Sequence, residues 1–234
     1  MSLRSFILGL SSSFGIAWLA VVVIPYFKMR NLEPIVYPET TEQAGEVYYP
    51  KRTGRIGNGS NVYAANGCYL CHTQVVRPTY AGNDMFRPDW GGLATDEQRG
   101  DTRRETNAFD FLGESYAHIG INRMGPDLSN FAVRLEKQYL QEGQSPEQWI
   151  YLQLHNPLHF ESKRLTGSAC PPRPYLFKKR KIDGPPTRDA LDVETREGYE
   201  VVPTADAKAL ASYLMSLKKD HPVPPQLDFA PGDQ

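Results

Sequence analysis

The chain is short of cysteine, of histidine and of net charge. Its 234 residues include three Cys and five His, and 26 Lys and Arg stand against 27 Asp and Glu, for a formal net charge of -1. So even a balance argues against a general nucleic-acid binder, whose surface would be basic. Three cysteines with so few histidines leave no second Cys/His pair of the kind a zinc site needs. No internal repeat and no long low-complexity tract is present, and an uncharged stretch of membrane length occurs once. A single such run allows at most one membrane crossing. What the chain has in quantity is turn formers, 19 Pro and 19 Gly, around a 40% hydrophobic content that suits one folded core.

The uncharged run is SFILGLSSSFGIAWLAVVVIPYF, from Ser5 to Phe27. A bilayer-spanning helix needs about 20 such residues. Arg4 precedes it, Lys28 and Arg30 follow it, and Pro25 and Tyr26 stand near its exit, where an interfacial aromatic is favourable. A cleaved signal would have a shorter apolar core and a small-residue cleavage site, which PYFKMR does not offer. The run predicts a retained transmembrane anchor over residues 1–30. Basic residues on both flanks leave its orientation open.

Residues 31–59 read as a tether, rich in Pro and without helical period. A domain over 60–220 follows, then a tail over 221–234. The expected fold is all-α. Ser60 is a plausible N-cap for a helix that places Val62 and Tyr63 on one face. Residues 77–124 are poor in helix signals. Leu128, Phe131, Leu135 and Tyr139 recur at helical spacing between Pro126-Asp127 and Gly143. Ser145, Pro146 and Glu147 are a strong helix start. Thr204 caps a last helix with Asp206 in its first turn, Lys218 and Lys219 in its last, and Leu210, Tyr213, Leu214 and Leu217 on its apolar face.

Two of the cysteines stand in Cys68-Tyr69-Leu70-Cys71-His72. This is C-x-x-C-H, the attachment signature for a c-type haem. Each thiol adds to one vinyl group of the porphyrin, so the spacing must bring two sulfurs to neighbouring pyrrole edges, and His72 then offers an imidazole nitrogen to the iron. A thioredoxin-like pair would want a preceding strand and a βαβ pattern, and neither is visible. One covalent haem c is therefore expected, with Cys68 and Cys71 as its attachment points and His72 as the proximal ligand. Such attachment takes place on the outer side of the energy-transducing membrane. The expectation is a single-pass protein of the inner (cytoplasmic) membrane with its haem domain on the periplasmic side.

Two further segments carry a resemblance. GPDL (125–128) resembles the turn that class I c-type cytochromes place beside the proximal histidine, where a proline carbonyl accepts the imidazole N–H, which makes Pro126 the candidate. ALASYLMSLK resembles their C-terminal helix. More specifically, CYLCHTQVVRP is similar to the C-x-x-C-H-[S/T]-Q-x-x-R-P segment of the mono-haem second subunit of cbb(3)-type cytochrome c oxidases, a family that also has the anchor, the tether, GPDL and a tryptophan-bearing helix ending near Asn-Pro, here EQWIYLQLHNP. The resemblance implies a class I cytochrome c domain. It also implies single-electron transfer to a separate haem–copper catalytic subunit, in company with other cytochrome c subunits. Residues 86–123 and 178–202 match less well and read as insertions. Five His and one membrane run are too few for the catalytic subunit itself, and one remaining Cys is too few for a dinuclear copper centre. The alternatives are a cytochrome c subunit of another respiratory complex, such as a nitric oxide reductase, or a haem peroxidase-like enzyme.

The sequence departs from the family at the sixth ligand. Where the family has Ser/Asn-Met-Pro, this chain reads SACPPRPYLF, with Cys170 in the place of the methionine. Three readings stay open: ligation by the Cys170 thiolate, by His155 or His159, or by no strong protein ligand. Met85, Met124 and Met215 are poorer candidates. Arg77 is a candidate partner for a haem propionate, Gln74 a brace beside it, and Trp149 and Tyr175 candidates for core or haem-pocket packing. Lys178–Lys181 (KKRK) is a basic run that would either face a partner or stay solvated.

Overall fold

A computed structural model describes residues 2–30, 52–140, 142–158 and 170–223. His159 and most of the expected tether and tail lie outside the described residues. The chain divides into two units, Met1–Gly45 and Glu46–Gln234.

Among the described residues, the first unit is one helix, α1 (Leu3–Lys28), 26 residues long with a mean hydropathy of 2.2 over its most apolar window. At about 1.5 Å per residue it exceeds the ~30 Å of a bilayer's hydrocarbon core. Ser2 caps its start, its side chain accepting from the Ser5 amide at 3.2 Å. Leu19–Val23 widens into a π turn, the Ile24 amide reaching back to the Leu19 carbonyl. Pro25 follows directly, and its missing N–H and ring explain why the regular bonding pattern breaks there. Apolar side chains such as Leu3, Phe14, Ile16 and Val21 are exposed all round the helix. No polar face is present, and by length and composition the helix is a candidate membrane span.

The second unit is mostly helical. Its elements are α2 (Gly54–Ala65), α3 (Phe131–Arg134, running on into a π turn, Leu135–Tyr139), α4 (Pro146–His155), β1 (Phe177–Lys181), β2 (Tyr199–Pro203) and α5 (Ala205–Met215). Helices α2 and α5 pack against each other over the core. Tyr63 of α2, Phe131 and Leu135 of the α3 segment, Ile150 of α4 and Leu210 and Tyr213 of α5 are all buried in one cluster. The expected caps of α4 and α5 are in place: Ser145 Oγ accepts from the Gln148 amide at 3.4 Å and Thr204 Oγ1 from the Ala207 amide at 3.2 Å.

Four expectations need correction. The second unit is not purely helical, because β1 and β2 pair antiparallel, Phe177 opposite Pro203 and Arg180 opposite Glu200. Helix α2 begins at Gly54 with Thr53 at its N-cap, so it takes in residues assigned above to the tether. Helix α3 begins only at Phe131, because the Asp127 carboxylate is engaged elsewhere. It accepts from Thr73 Oγ1 (2.6 Å), the Val75 amide (2.8 Å) and the Ser129 amide (2.8 Å), which holds 127–129 in a turn. Lys218 and Lys219 both lie past the end of α5: Lys218 reaches Glu136, and the Lys219 side chain is buried rather than solvated on a last helical turn.

Residues 86–123 form turns rather than a separate layer, tied down by ion pairs. Arg104 bonds the buried Asp110 carboxylate through both of its terminal nitrogens (2.8 and 2.5 Å), and Arg104 Nε donates to the His221 carbonyl at 3.2 Å. His221 and Val223, at the start of the expected tail, are accordingly buried against the domain.

The crossing of α2 and α5 depends on Gly59. A Cβ added there would lie 2.0 Å from the Ala209 carbonyl oxygen and 2.7 Å from the Tyr213 Cβ. Because the obstacle is backbone, the helices must part. Gly59→Ala is expected to cost about 1–3 kcal/mol. The thermal unfolding midpoint should fall by roughly 2–12 °C. A scanning-calorimetry midpoint equal to that of the parent chain would show that the two helices do not touch at this point.

Candidate functional site

The site starts where α2 stops. Gly67 (φ +64°) takes the left-handed conformation that turns the chain out of the helix, a role glycine fills without steric cost. A single 3-10 turn follows, Cys68–Leu70, with the Cys71 amide 3.2 Å and the His72 amide 3.0 Å from the Cys68 carbonyl. The five residues Cys68 to His72 are thus wound into little more than one turn. Both thiols are free and half-buried. Burial pushes the Cys68 thiol up to about 11, although the Arg173 guanidinium pulls the other way.

His72 is held by the segment it faces. Its Nδ1 is 2.8 Å from the Pro126 carbonyl, which accepts only, so Nδ1 carries the proton and Nε2 keeps its lone pair. The Gly125 amide donates to the Cys71 carbonyl at 2.9 Å, which fixes the two segments side by side. A Cβ on Gly125 would sit 2.2, 2.7 and 2.8 Å from the imidazole Cε1, Nδ1 and Nε2. Similar approach to three ring atoms means that the ring lies face-on over the glycine, so a side chain at 125 would occupy the space of the imidazole. Gly120 (φ +90°) does the same for the backbone: its Cβ would be 2.3 Å from the His72 carbonyl oxygen. Burial lowers the His72 pKa, and the Pro126 bond opposes this only in part, so the ring stays neutral.

The Cys170 segment reaches the same place. Arg173 donates to the Pro171 carbonyl (2.6 Å) and to the Asn66 carbonyl (3.3 Å), and the Tyr175 hydroxyl bonds Asn66 Oδ1 at 2.6 Å. Residues 170–175 are thereby pinned to the end of α2, one residue before the turn that bears the thiols. Burial raises the Cys170 thiol pKa, the Arg173 charge lowers it, and the Cys71 thiol is near enough to raise it again. Cys170 is felt by Cys68 as well.

The structure therefore brings together Cys68, Cys71, His72, Pro126 and Cys170. Other candidates lie elsewhere. Arg77 is engaged by a carboxylate of its own, its Nε and Nη2 bonding Asp84 at 3.0 and 2.9 Å and its amide the same group at 2.9 Å. Burial would raise the Asp84 pKa, but these bonds and Arg123 outweigh it and hold it at about 2. Arg77 therefore already holds a carboxylate partner, with its side chain still partly exposed. Gln74 is fully buried, its amide 3.0 Å from the Tyr213 hydroxyl, so it braces α5. His155 sits edge-on to Phe177, ring centroids 5.3 Å apart. Trp149 stacks on Tyr139 within the core (5.3 Å, 11°), whereas Tyr175 is exposed apart from its hydroxyl bond. Met85 is buried, Met124 is exposed and Met215 packs against the core. In the basic run, Arg180 pairs with Glu200 at 2.7 Å across the strands, while the lysines of β1 are exposed.

Three contributors escape a reading of the sequence: Gly125, Arg173 and Asn66. Glycine before Pro126 carries a signal only once the imidazole is known to lie on it. Arg173 and Asn66 act across more than a hundred residues of chain, and nothing local marks either. No protein-family model matches the chain, and no curated protein matches it.

Proposed function

We propose that this chain is a membrane-anchored, mono-haem cytochrome c that passes single electrons to the catalytic subunit of a cbb(3)-like haem–copper oxidase. One observation carries the reading. A C-x-x-C-H turn presents a neutral histidine, its Nδ1 bound to the Pro126 carbonyl and its ring flat on Gly125. The residues present fit a covalent haem. Two free thiols separated by two residues suit thioether attachment, and a fixed imidazole with a free Nε2 suits iron. A zinc cage would need three or more ligating side chains converging, and among the described residues no such group of His, Cys, Asp and Glu occurs. When bound, a haem supplies a one-electron iron couple. The chain's own residues do the rest. Pro126 fixes the tautomer and aims the ring. Gly125 admits the ring at van der Waals distance. Burial keeps His72 unprotonated. The order of C-x-x-C-H, GPDL and a closing helix packed across α2 supports a class I cytochrome c fold.

Affinity purification of the full chain from detergent-solubilised membranes tests the assignment. Recovery with a multi-helix haem–copper subunit is the expected result. Recovery of a haem-bearing chain alone, turning over peroxide, would replace the oxidase reading with an enzyme.

Sidedness gives a separate expectation. Protease added to spheroplasts should remove the second unit and leave α1 in the membrane. A mature chain whose N-terminus lies after Phe27 would show instead that α1 is a cleaved leader.

A further inference from the structure

Beside α2 the second unit holds a small polar cavity of about 20 Å³, room for a water molecule. Arg52, Ser60, Asn61, Glu114 and Tyr213 are among the residues that line it. Two of these are ions with almost no exposure: the Arg52 and Glu114 side chains are 3% and 1% accessible. The Lys219 side chain, which approaches the same carboxylate oxygen, is 0% accessible. The three charges stand at ion-pair distance, Arg52 Nε 3.5 Å and Lys219 Nζ 3.8 Å from Glu114 Oε1, too far for good hydrogen bonds. Both Glu114 oxygens, Arg52 Nε and Nη2, and Lys219 Nζ have no hydrogen-bond partner in the protein. The neighbouring groups are already engaged. Arg52 Nη1 donates to Ser216 Oγ at 2.7 Å, Ser60 Oγ lies 2.8 Å from His118 Nε2, and the Lys219 ammonium rests over the Phe111 ring, 3.7 Å from its centroid.

Buried charges left without hydrogen bonds are costly, and an ion pair repays its desolvation only when its remaining donors and acceptors are satisfied. Water is the molecule that suits this set. It donates to the carboxylate and accepts from the guanidinium at once. An anion would leave the Glu114 oxygens unpaired and repelled, and a metal cation would meet Arg52 and Lys219.

We propose that Arg52 and Glu114 form a built site for ordered water, and that this site, with Lys219 beside the Glu114 carboxylate, is a proton-exchange centre of the domain. Lys219 Nζ gives its proton to the Glu114 carboxylate beside it, and the carboxylate passes it through the bound water to solvent past the exposed Asn61, returning to its ionised form. The inference does not depend on what the Cys68–His72 site holds.

The charges around Lys219 set where exchange occurs. Burial lowers its pKa, Glu114, Asp110 and Asp127 raise it, Arg52 lowers it further, and the balance stands at about 8. Asp110 is itself shared with Arg104 and, at 3.9 Å, with His221. The Lys219 charge in turn helps to lower the His118 pKa, after burial. Burial holds the Tyr213 phenol well above the ordinary tyrosine value, so it stays protonated throughout. The sign follows. Above about 8 the folded chain has released a proton that the unfolded chain keeps up to 10.5, so stability rises with pH across that window. One tenfold step per pH unit makes the gain in the folded-to-unfolded ratio up to about 300-fold.

The test uses the whole chain in detergent. A crystal structure near pH 7 is expected to show water within hydrogen-bonding distance of Glu114 and Arg52. Two direct, short Arg52–Glu114 bonds with nothing between them would overturn the site. Lysine Nζ nitrogen resonances followed against pH should show one group titrating near 8, absent from Lys219→Met. Titration of every lysine at 10 or above would overturn the exchange role. Unfolding of Lys219→Met should lack the parent's gain between pH 8 and 10, and parallel curves would count against the proposal. If Lys219→Met does not fold, the parent's Nζ titration decides alone.

Discussion

Replacing Cys68 or Cys71 by Ser is expected to abolish most of the covalently bound haem. Serine keeps the size and loses the nucleophile, since a hydroxyl does not add to a vinyl group as a thiol does. The turn itself should survive, because the bonds that build it are backbone bonds from the Cys71 and His72 amides to the Cys68 carbonyl. Loss of haem would then report lost attachment rather than lost fold. In the parent chain, thioether bonds should keep the haem with the denatured protein through acid–acetone extraction. In the single Ser variants, stained holoprotein should fall sharply. Haem that leaves the denatured parent chain on extraction would sink the proposed function at its root. A companion variant separates attachment from ligation. Gly125→Ala keeps both thiols but places a methyl group 2.2 Å from the imidazole Cε1, so it should displace the ring and alter the spectrum while covalent haem remains.

The contrast between those variants shows what sequence can and cannot carry. The Cys68–Cys71–His72 turn is legible because its spacing is local, held within one turn by bonds to the Cys68 carbonyl. Ser145 and Thr204 are legible because a cap is a local bond, to an amide two or three residues on. The start of α2 is not. Gly54, Gly57 and Gly59 lower helix propensity and read as loop. Yet Gly59 is what lets α2 touch the backbone of α5, so tertiary contact overrides local preference. Asp127 shows the reverse. Its position after Pro126 reads as a helix start, but its oxygens are taken by Thr73, Val75 and Ser129, two of them more than fifty residues away in sequence. Lys219 misleads for the same reason, since a lysine at the end of an amphipathic pattern is usually solvated, and here Glu114 and Asp110 draw it inside. The β1–β2 pair was hidden within a stretch read as an insertion, where KKRK shows no alternation of apolar residues.

Cys170→Met is expected to raise the reduction potential of the haem by well over 59 mV, the equivalent of a tenfold change for one electron. The expectation rests on place and on charge. Arg173 and Tyr175 anchor the segment that begins at Cys170 to Asn66, so the thiol sits beside the attachment turn. Cys68 registers the charge of Cys170, and Cys170 registers that of Cys71. Burial disfavours the thiolate, and Arg173 offsets part of that cost, which is the condition a thiolate ligand needs. A thiolate donates charge and favours ferric over ferrous iron, whereas a thioether favours the reduced state. The ferric electron-spin-resonance spectrum should change along with the potential. Arg173→Lys should move both in a smaller degree, because lysine keeps the charge but not the fork that holds Pro171 and Asn66 together. Should Cys170→Ala leave the ferric spectrum and the potential as they were, Cys170 is a structural thiol, and ligation passes to His155, whose ring already lies at the end of α4 against Phe177, or to His159. A low potential bears on the partner too. Electrons leave a thiolate-ligated iron readily but enter it only from a strong donor, so a confirmed Cys170 ligand would place this chain beside a low-potential donor.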